Sequence, residues 1–433
     1  LRRATWASVA GSALEYYDFA LYGLASALIF SKLFFSNLAP ATALIASFAT
    51  FGVGFVARPL GGLFFGTIGD KLGRKWVLVA TILLMGGSST LVGALPTYDA
   101  IGVWAPILLV FLRLCQGFGA GAEQAGATVL MAEYAPVRRR GFYAALPFIG
   151  IQAGTLLAAG VFTFLGGLPE PVLLGWAWRL PFLSSFVLIL IALFIRVRLK
   201  ESPTFVQLEK QAQIADRPLQ EICQHSMGGV LRGIGLRMAE NGGSYLFNSL
   251  AVAYASSTVM ENKSVGPIAV AVASLIGMCS VPAAGWLSDR IGRLPVYRMG
   301  AVVLLVLAFP GWYLMSLGHA WLVVLVIALA IGFGVNTMLG SQCALLPELF
   351  GNRHRYLGVA IAREFSAVIA GGLAGVLGAY LIKVYNGSWI PLAVYTFVLA
   401  AITLGATLVT PETVGRDLTR ASDALDDQAP KPS

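Results

Sequence analysis

Charged side chains are scarce in this sequence. Asp, Glu, Lys and Arg make up 12% of its 433 residues, whereas hydrophobic residues make up 57%. An average soluble protein carries about twice that share of charge, and a chain of this length needs polar side chains to cover its surface. The shortage excludes a water-soluble fold. Because a membrane-spanning helix needs about 20 apolar residues, the chain has room for about a dozen spans.

Histidine and cysteine are also rare, with three and four copies scattered along the chain. They form no C-x-x-C pair and no cluster at the spacing of metal ligands. The phosphate-binding pattern G-x-x-x-x-G-K-[ST] is missing as well. These absences argue against an integral-membrane enzyme, and we expect no metal and no cofactor. The net charge of +9 is explained better by basic cytoplasmic loops than by binding to nucleic acid.

Apolar runs bounded by charges and turn residues predict an all-α membrane protein with twelve transmembrane helices. The predicted domains are a six-helix half at 1–199, a linker at 200–230, a second half at 231–410 and a tail at 411–433. The predicted spans are 10–33, 42–66, 76–95, 104–133, 142–166, 177–198, 232–258, 267–287, 297–317, 320–346, 356–384 and 388–409.

Lys and Arg are concentrated in the loops that follow even-numbered spans and in the central linker. The loops after odd-numbered spans hold little beyond Lys32, Lys263 and Lys383. Since cytoplasmic loops are enriched in Lys and Arg, both termini are predicted to be cytoplasmic. The basic residues of the even loops are Lys71, Arg74, Lys75, Arg138, Arg139, Arg140, Arg290, Arg293, Arg298, Arg353 and Arg355.

The two halves of the sequence repeat each other. Asp289 follows Asp70 by 219 positions inside a shared glycine- and arginine-containing loop, and Glu348 follows Glu133 by 215 positions. Two motifs at nearly the same offset indicate duplicated six-helix units with the same orientation. Parallel repeats of this kind place a substrate site between the halves, near the middle of the membrane.

The repeated loop resembles the signature of the major facilitator superfamily, Gly-x-x-x-Asp-Arg-x-Gly-Arg-Lys. The resemblance implies the major facilitator fold, alternating access, and a cytoplasmic latch that stabilises the outward-facing state. The candidate latch residues are Asp70, Arg74, Asp289 and Arg293. The signature is carried by Gly66, Asp70, Lys71, Gly73, Arg74 and Lys75.

Several distant motifs narrow the resemblance to the metabolite:proton symporters, which include shikimate, 2-oxoglutarate, citrate and proline/betaine carriers. It implies a monomer in a bacterial inner membrane, with proton coupling and a cavity lined by helices one, four, seven and ten. The motifs are Glu15-Tyr16-Tyr17-Asp18, Arg58-Pro59-Leu60-Gly61-Gly62, Arg113-Leu114-Cys115-Gln116-Gly117, Trp178-Arg179-Leu180-Pro181-Phe182 and Glu201-Ser202-Pro203.

Ionisable residues inside the predicted spans are costly in a bilayer and usually face a cavity. Helical spacing places many of them on shared faces. The candidate proton-coupling carboxylates are Asp18, Glu123, Glu15 and Glu240. The candidate substrate-binding residues are Arg113, Gln116, Tyr22, Arg237, Asn241, Tyr245 and Asn336.

Arginine is suited to a carboxylate substrate because its planar fork binds both oxygens. We therefore expect a proton-driven importer of a small organic acid, with a shikimate-like acid as the first candidate, and with the acid, protons and lipid bilayer as its partners. The alternatives are a carrier of a zwitterion such as proline or betaine and a passive facilitator or channel. Arg113 could instead form a static ion pair with Asp18 or Glu123. Arg58 is interpreted as structural. For Glu364, a structural role and a role in substrate or proton binding both stay open.

Overall fold

The structure is a computed structural model that describes residues 2–72, 74–121, 128–129, 131–133, 135–197, 222–259, 262, 264–351, 355–418, 420 and 422–426. All regular secondary structure in these ranges is helical. Together with the length and apolar character of its helices, this confirms the predicted all-α membrane fold.

The first half contains six long helices joined by short connections. Two short helices, Phe30–Phe34 and Tyr98–Ile101, follow the first and third of them, and a π-helical turn at Leu173–Ala177 precedes the sixth. The long helices are α1 (Arg2–Leu28), α2 (Pro40–Leu72), α3 (Arg74–Ala94), α4 (Trp104–Ala120), α5 (Val137–Gly166) and α6 (Arg179–Val197).

The second half repeats this arrangement. Its helices α7, α10 and α11 contain π-helical turns, a feature that is common at functional sites because it shifts the side chains of one turn. These turns are Leu246–Leu250 and Ala255–Val259 in α7, Ala330–Val335 in α10 and Ala367–Gly372 in α11. The helices are α7 (227–259), α8 (Val265–Ile291), α9 (Arg293–Ser316), α10 (Ala320–Leu349), α11 (355–384) and α12 (Ile390–Val409).

Eight of the described helices are long and apolar enough to cross a membrane by composition alone, and α3 and α4 contain shorter apolar segments. The polar helices α1 and α7 fall below that threshold because they carry the charged residues predicted to face a cavity. The ends differ from the prediction where polar residues extend a helix beyond its apolar run. For example, α2 continues to Leu72 rather than 66. Residues 200–221 of the predicted linker lie outside the described ranges, and the bounds of the four domains stay a prediction.

Small residues bring α1 and α5 into close contact. Gly150 and Gly154 on α5 face the carbonyl oxygens of Val9 and Ala13 on α1, and a Cβ atom at either glycine would overlap them. Close approach through small residues is the usual way in which membrane helices pack. This contact with α5 fixes the depth at which the polar residues of α1 lie in the helix bundle.

The two halves touch on both sides of a central cavity. At the end that holds Arg138–Arg140 and Arg290–Arg298, called here the basic end, Gly141 on α5 lies against Gly285 on α8. Towards the opposite end, a Cβ atom on Gly52 of α2 would lie 2.7 Å from the carbonyl oxygen of Gly372 on α11. Contacts on both sides enclose the space between the halves.

Candidate functional site

A cavity of about 60 Å³ lies between the halves. Its walls come from α1, α2 and α5 of the first half and from α7, α8 and α10 of the second half. The expected lining by α1, α7 and α10 is therefore present, whereas the described residues of α4 stay behind the wall. The polar lining residues are Tyr16, Gln152, Thr155, Arg237, Glu240, Asn241, Ser244, Tyr245, Asn248, Ser249 and Asn336.

An ion pair on α7 supplies the charges of the cavity wall. Arg237 Nη1 lies 3.1 Å from Glu240 Oε2 one helical turn away, and Arg237 Nε donates a hydrogen bond of 2.8 Å to Ser366 Oγ on α11. Both charged side chains are about 95% buried. Nη1 and Oε2 have no hydrogen-bond partner beyond this ionic contact. A ligand that enters the cavity therefore meets one donor and one acceptor that are joined by an ionic contact but lack a hydrogen bond.

Four amide side chains complete the polar wall. Gln152 Nε2 on α5 donates a hydrogen bond of 2.8 Å to Asn336 Oδ1 on α10, which joins the two halves. Asn336 Nδ2, Asn241 Nδ2 and Asn248 Oδ1 are buried and have no hydrogen-bond partner. Because buried polar groups are normally satisfied, these atoms indicate a site for a polar ligand. Sequence reasoning missed Gln152, although a lone glutamine in the apolar helix α5 was a usable signal.

Tyr245 contributes an aromatic surface at the boundary of the halves. Its ring packs edge-on against Phe51 and Phe55 of α2, with ring centroids 5.5 and 4.8 Å apart. A Cβ atom on Gly371 of α11 would lie 2.8 Å from the Tyr245 ring. The tyrosine predicted to bind substrate thus lines the cavity and also closes it on the α2 side.

Arg113 lies behind the cavity wall rather than on it. Its guanidinium carbon is 4.9 Å from the ring centroids of Phe19 and Phe51 and 4.3 Å from that of Tyr22, within the range of cation–π attraction. Arg113 Nη1 donates to Gln116 Oε1, and Nη2 has no hydrogen-bond partner. In this conformation the rings of Phe19 and Phe51 separate the three predicted substrate residues Arg113, Gln116 and Tyr22 from the cavity.

Asp18 belongs to a second polar cluster in the first half. Its Oδ1 accepts a hydrogen bond of 2.6 Å from Ser185 Oγ on α6, and Ser89 on α3 is a further hydrogen-bonding neighbour. Gln116 Nε2 donates to Ser89 Oγ at 2.7 Å, so hydroxyl and amide groups connect Asp18 with Arg113. No direct ion pair joins Asp18 and Arg113 in the described structure. Glu123 lies outside the described residues.

Glu15, Arg58 and Glu364 form a buried ionic triad that crosses between the halves. Arg58 Nε on α2 lies 2.9 Å from Glu364 Oε2 on α11, and Arg58 Nη2 lies 3.7 Å from Glu15 Oε1 on α1. All three side chains are at least 95% buried. Arg58, interpreted from the sequence as structural, therefore joins the two halves inside the bundle.

Asp289 holds the halves together at the basic end. Its two carboxylate oxygens accept hydrogen bonds of 2.8 and 2.9 Å from the backbone N–H groups of Gly141 and Phe142, in the first turn of the Arg140–Ala145 segment of α5. The first N–H groups of a helix lack internal partners and attract negative charge. Arg293 Nη1 donates to Asp289 at 2.7 Å. The side chains of Asp70 and Arg74 lie outside the described part of the chain.

Glu348 on α10 lies at the centre of the basic end. Its carboxylate accepts hydrogen bonds from Arg140 of the first half at 2.8 Å and from Arg293 of the second half at 3.0 Å. Glu133 and Arg355 form another ion pair between the halves, at 3.0 Å. These contacts must separate before the cavity can open towards the basic end.

Comparisons with known proteins agree with this architecture. Residues 4–228 and 244–425 match the family described as sugar (and other) transporter. The chain is 36% identical over 401 residues to the shikimate transporter of Escherichia coli (strain K12), covering 91% of each chain. It is 37% identical over 441 residues to the glycine betaine/proline/ectoine/pipecolic acid transporter OusA of Dickeya dadantii (strain 3937), covering 99% of this chain and 86% of OusA.

A solved structure has the same fold. The major facilitator superfamily proton:xylose symporter XylE, bound to 6-bromo-6-deoxy-D-glucose, superposes with a TM-score of 0.73 at 19% identity, covering 97% of this chain and 98% of XylE. The predicted major facilitator fold, with twelve helices in two parallel halves, is thus confirmed. The chain belongs to the sugar (and other) transporter family of the major facilitator superfamily and is a multi-pass membrane transporter rather than an enzyme.

Proposed function

We propose that this transporter is a proton-coupled importer of a small organic carboxylate. It works by alternating access in a bacterial inner membrane, as a monomer with both termini in the cytoplasm. The observation that carries the proposal is the cavity between the halves, where the buried Arg237 Nη1 has an ionic contact with Glu240 but no hydrogen-bond partner among the described residues. A carboxylate is the ligand group that this donor fits best, because a charge-assisted hydrogen bond to it compensates the loss of water.

The neighbouring amides support a carboxylate as well. Arg237 Nη1, Asn241 Nδ2 and Asn336 Nδ2 are all donors without a hydrogen-bond partner. A carboxylate offers two oxygens with several acceptor positions, whereas a hydrocarbon or an amine would leave these donors unpaired at a cost of about 1–3 kcal/mol each. Because Asn336 is already bonded to Gln152 of the other half, a ligand held here would contact both parts that move.

Asp18 is the first candidate for proton coupling, with Glu123, Glu240 and Glu15 as the others. Asp18 is buried in the first half. Its described contacts are with hydroxyl groups and not with an arginine that would neutralise its charge. A carboxylate in a low-dielectric site without an ionic partner can exist in either protonation state. The relay through Ser89 and Gln116 connects its charge to Arg113 and hence to the ring wall of the cavity.

A second candidate substrate is a zwitterion of the betaine or proline type. Glu240 lines the same cavity, and the aromatic rings of Tyr16, Phe51 and Tyr245 lie around it. Aromatic faces together with a carboxylate suit a cationic group, while Arg237 would take the carboxylate end. Glycine betaine and proline, for which OusA is named a transporter, belong to this class.

Uptake into proteoliposomes tests the proposal. Radiolabelled shikimate, 2-oxoglutarate, citrate, proline and betaine are offered with and without an inwardly directed proton gradient. Accumulation of an acid above its external concentration only with the gradient supports a carboxylate symporter. Gradient-driven accumulation of betaine or proline alone supports the zwitterion carrier. Equilibration without accumulation, with no response to the gradient, contradicts proton coupling and supports a facilitator.

A further inference from the structure

Of the ionic triad of Glu15, Arg58 and Glu364, the function proposed above uses only Glu15, as one of the alternative candidates for proton coupling. The triad contains two carboxylates and one guanidinium, all at least 95% buried, and so carries one excess negative charge in its charged form. Burying charge inside a membrane protein is expensive unless it is paired. Such an arrangement needs an explanation beyond holding the helices together, since a single pair would do that at lower cost.

The triad lies between the cavity and the basic end. On α2, which runs towards the basic end, Arg58 stands seven residues beyond Phe51 of the cavity wall, about 10 Å further along the helix. On α1, which starts at the basic end, Glu15 precedes the lining residue Tyr16. On α11, Glu364 follows Arg355 of the basic-end network by nine residues. Opening of the cavity towards the basic end must pass through this level.

Arg58 has unequal contacts with its two carboxylates. The pair with Glu364 of the second half is short, at 2.9 Å, and the contact with Glu15 of its own half is longer, at 3.7 Å. When the halves separate, Arg58 keeps Glu15, which moves with it, and loses Glu364. Glu364 would then be a buried carboxylate without its ionic partner, and such a group favours its neutral form.

We propose that Glu364 is a second proton-binding site that is coupled to opening at the basic end. One proton passes from water to a Glu364 carboxylate oxygen, the ionic contact with Arg58 breaks, and Arg58 stays protonated and pairs with Glu15. The triad then changes from a net charge of −1 to a neutral set. The reverse step releases the proton when the halves close again. This proposal depends on the transport cycle proposed above but assigns a proton to a different residue.

The charged surroundings of Glu364 allow this step. Arg237 and Glu240 on α7 form their own ion pair, and Arg363 lies next to Glu364 in the sequence, with its guanidinium 5.9 Å from the ring centroid of Phe148. Tyr16 on α1 and Tyr245 on α7 are the nearby tyrosines. In the described part of the chain Arg58 is the cation in ion-pair contact with Glu364, and Arg363 interacts with the same carboxylate electrostatically. Loss of the Arg58 contact therefore removes the direct ionic partner of Glu364.

Cys343 provides a native reporter for the test. It is 1% exposed and is packed among Ala144, Ala145 and Phe148 of the first half, on the basic side of Leu339 in the cavity wall. With Cys115, Cys223 and Cys279 replaced by serine, maleimide labelling of Cys343 in reconstituted full-length protein reports opening towards the basic end. Each rate is divided by that of the unfolded protein at the same pH, which removes the pH dependence of the thiolate.

We expect the normalised labelling rate to rise about tenfold as the pH is lowered, because protonation of Glu364 releases Arg58. Glu364→Gln should label at the fast rate throughout. Glu15→Gln should keep the pH response but move its midpoint to lower pH, because Arg58 loses its alternative partner. Asp18→Asn should lose proton-driven accumulation and keep the response, which separates this proposal from the coupling group proposed above.

Two results would overturn the proposal. The first is a pH response in Glu364→Gln equal to that of the parent. The second is labelling of the parent that does not change with pH. If Glu364→Gln fails to fold, the Glu15→Gln midpoint decides the matter: a midpoint that is unchanged or higher overturns the proposal, and a lower one supports it.

Discussion

Gln152 and Asn336 connect the two halves of the transporter through one hydrogen bond of 2.8 Å at the wall of the central cavity. Gly277 on α8 makes room for the pair, since a Cβ atom there would overlap both amides. Asn336 Nδ2 remains without a hydrogen-bond partner. The contact therefore combines a link between the moving parts with a donor that is directed at the ligand site.

Gln152→Leu should weaken substrate binding without unfolding the protein. The substitution leaves Asn336 Oδ1 unsatisfied in addition to Nδ2, at a cost of about 1–3 kcal/mol, so we expect the apparent KM of uptake to rise about tenfold. Substrate titrations of initial uptake rates measure the change. Thr163→Val on the same helix is the matched control, because Thr163 Oγ1 bonds only to the helix carbonyl of Ala159. Equal KM values in both variants would contradict a role for the amide bridge.

Arg237→Lys should discriminate between an acid substrate and its uncharged amide. Lysine keeps the positive charge but loses the planar fork that donates to Ser366 Oγ and that would bind the carboxylate of the proposed substrate. We expect about a tenfold loss of affinity for the acid and little change for the amide, measured by isothermal titration of purified, monodisperse protein. Arg298→Lys, at the basic end, is the control.

Arg113→Lys belongs in the same experiment. Arg113 is separated from the cavity by Phe19 and Phe51 in this conformation, so a smaller effect on the acid-to-amide ratio is expected. An equal loss at both arginines would indicate that the rings move aside and that the ligand bridges the two cations. If the parent protein binds acid and amide equally well, the carboxylate proposal fails.

The sequence was sufficient for the architecture. Apolar runs, basic loops and a repeated motif depend on the bilayer and on chain order. Each can therefore be recognised in the sequence alone. Helical spacing also placed Arg237, Asn241, Tyr245 and Asn336 on surfaces that do line the cavity. These residues share helix faces, and a face can be read from one segment alone.

Whether a polar residue reaches the cavity or lies behind its wall could not be predicted from a single helix. Arg113 looked equivalent to Arg237, but the glycines of α2 and α4 bring these helices so close that Phe19 and Phe51 cover it. The pair formed by Arg58 and Glu364 joins residues 306 positions apart. No local pattern encodes such a contact, because it arises only when the two halves dock.

Asp18→Asn should uncouple transport from the proton gradient. The variant keeps an acceptor for Ser185 Oγ but cannot exchange a proton, so we expect gradient-driven accumulation to fall to the level of equilibration while counterflow exchange continues. Both are measured in proteoliposomes with a preloaded substrate. Asp99→Asn is the control, since Asp99 accepts a hydrogen bond from Ser36 in an exposed position. Normal accumulation with normal pH dependence in Asp18→Asn would place the coupling proton on another group.

Asp289→Asn should weaken the latch at the basic end. Asparagine can still accept one backbone hydrogen bond from Gly141, but it loses the second acceptor oxygen that holds Phe142 and the ionic contact with Arg293. A change of about 1.4 kcal/mol in the balance between closed and open states alters the open population about tenfold. We expect labelling of Cys343 to accelerate by that factor, with the apparent ligand affinity changed only through the population shift. Arg290→Gln is the control, because Arg290 neighbours Asp289 but packs over Trp286 on the outer surface. If Asp289→Asn and Arg290→Gln label at the same rate as the parent, the contact between Asp289 and α5 does not hold the halves closed.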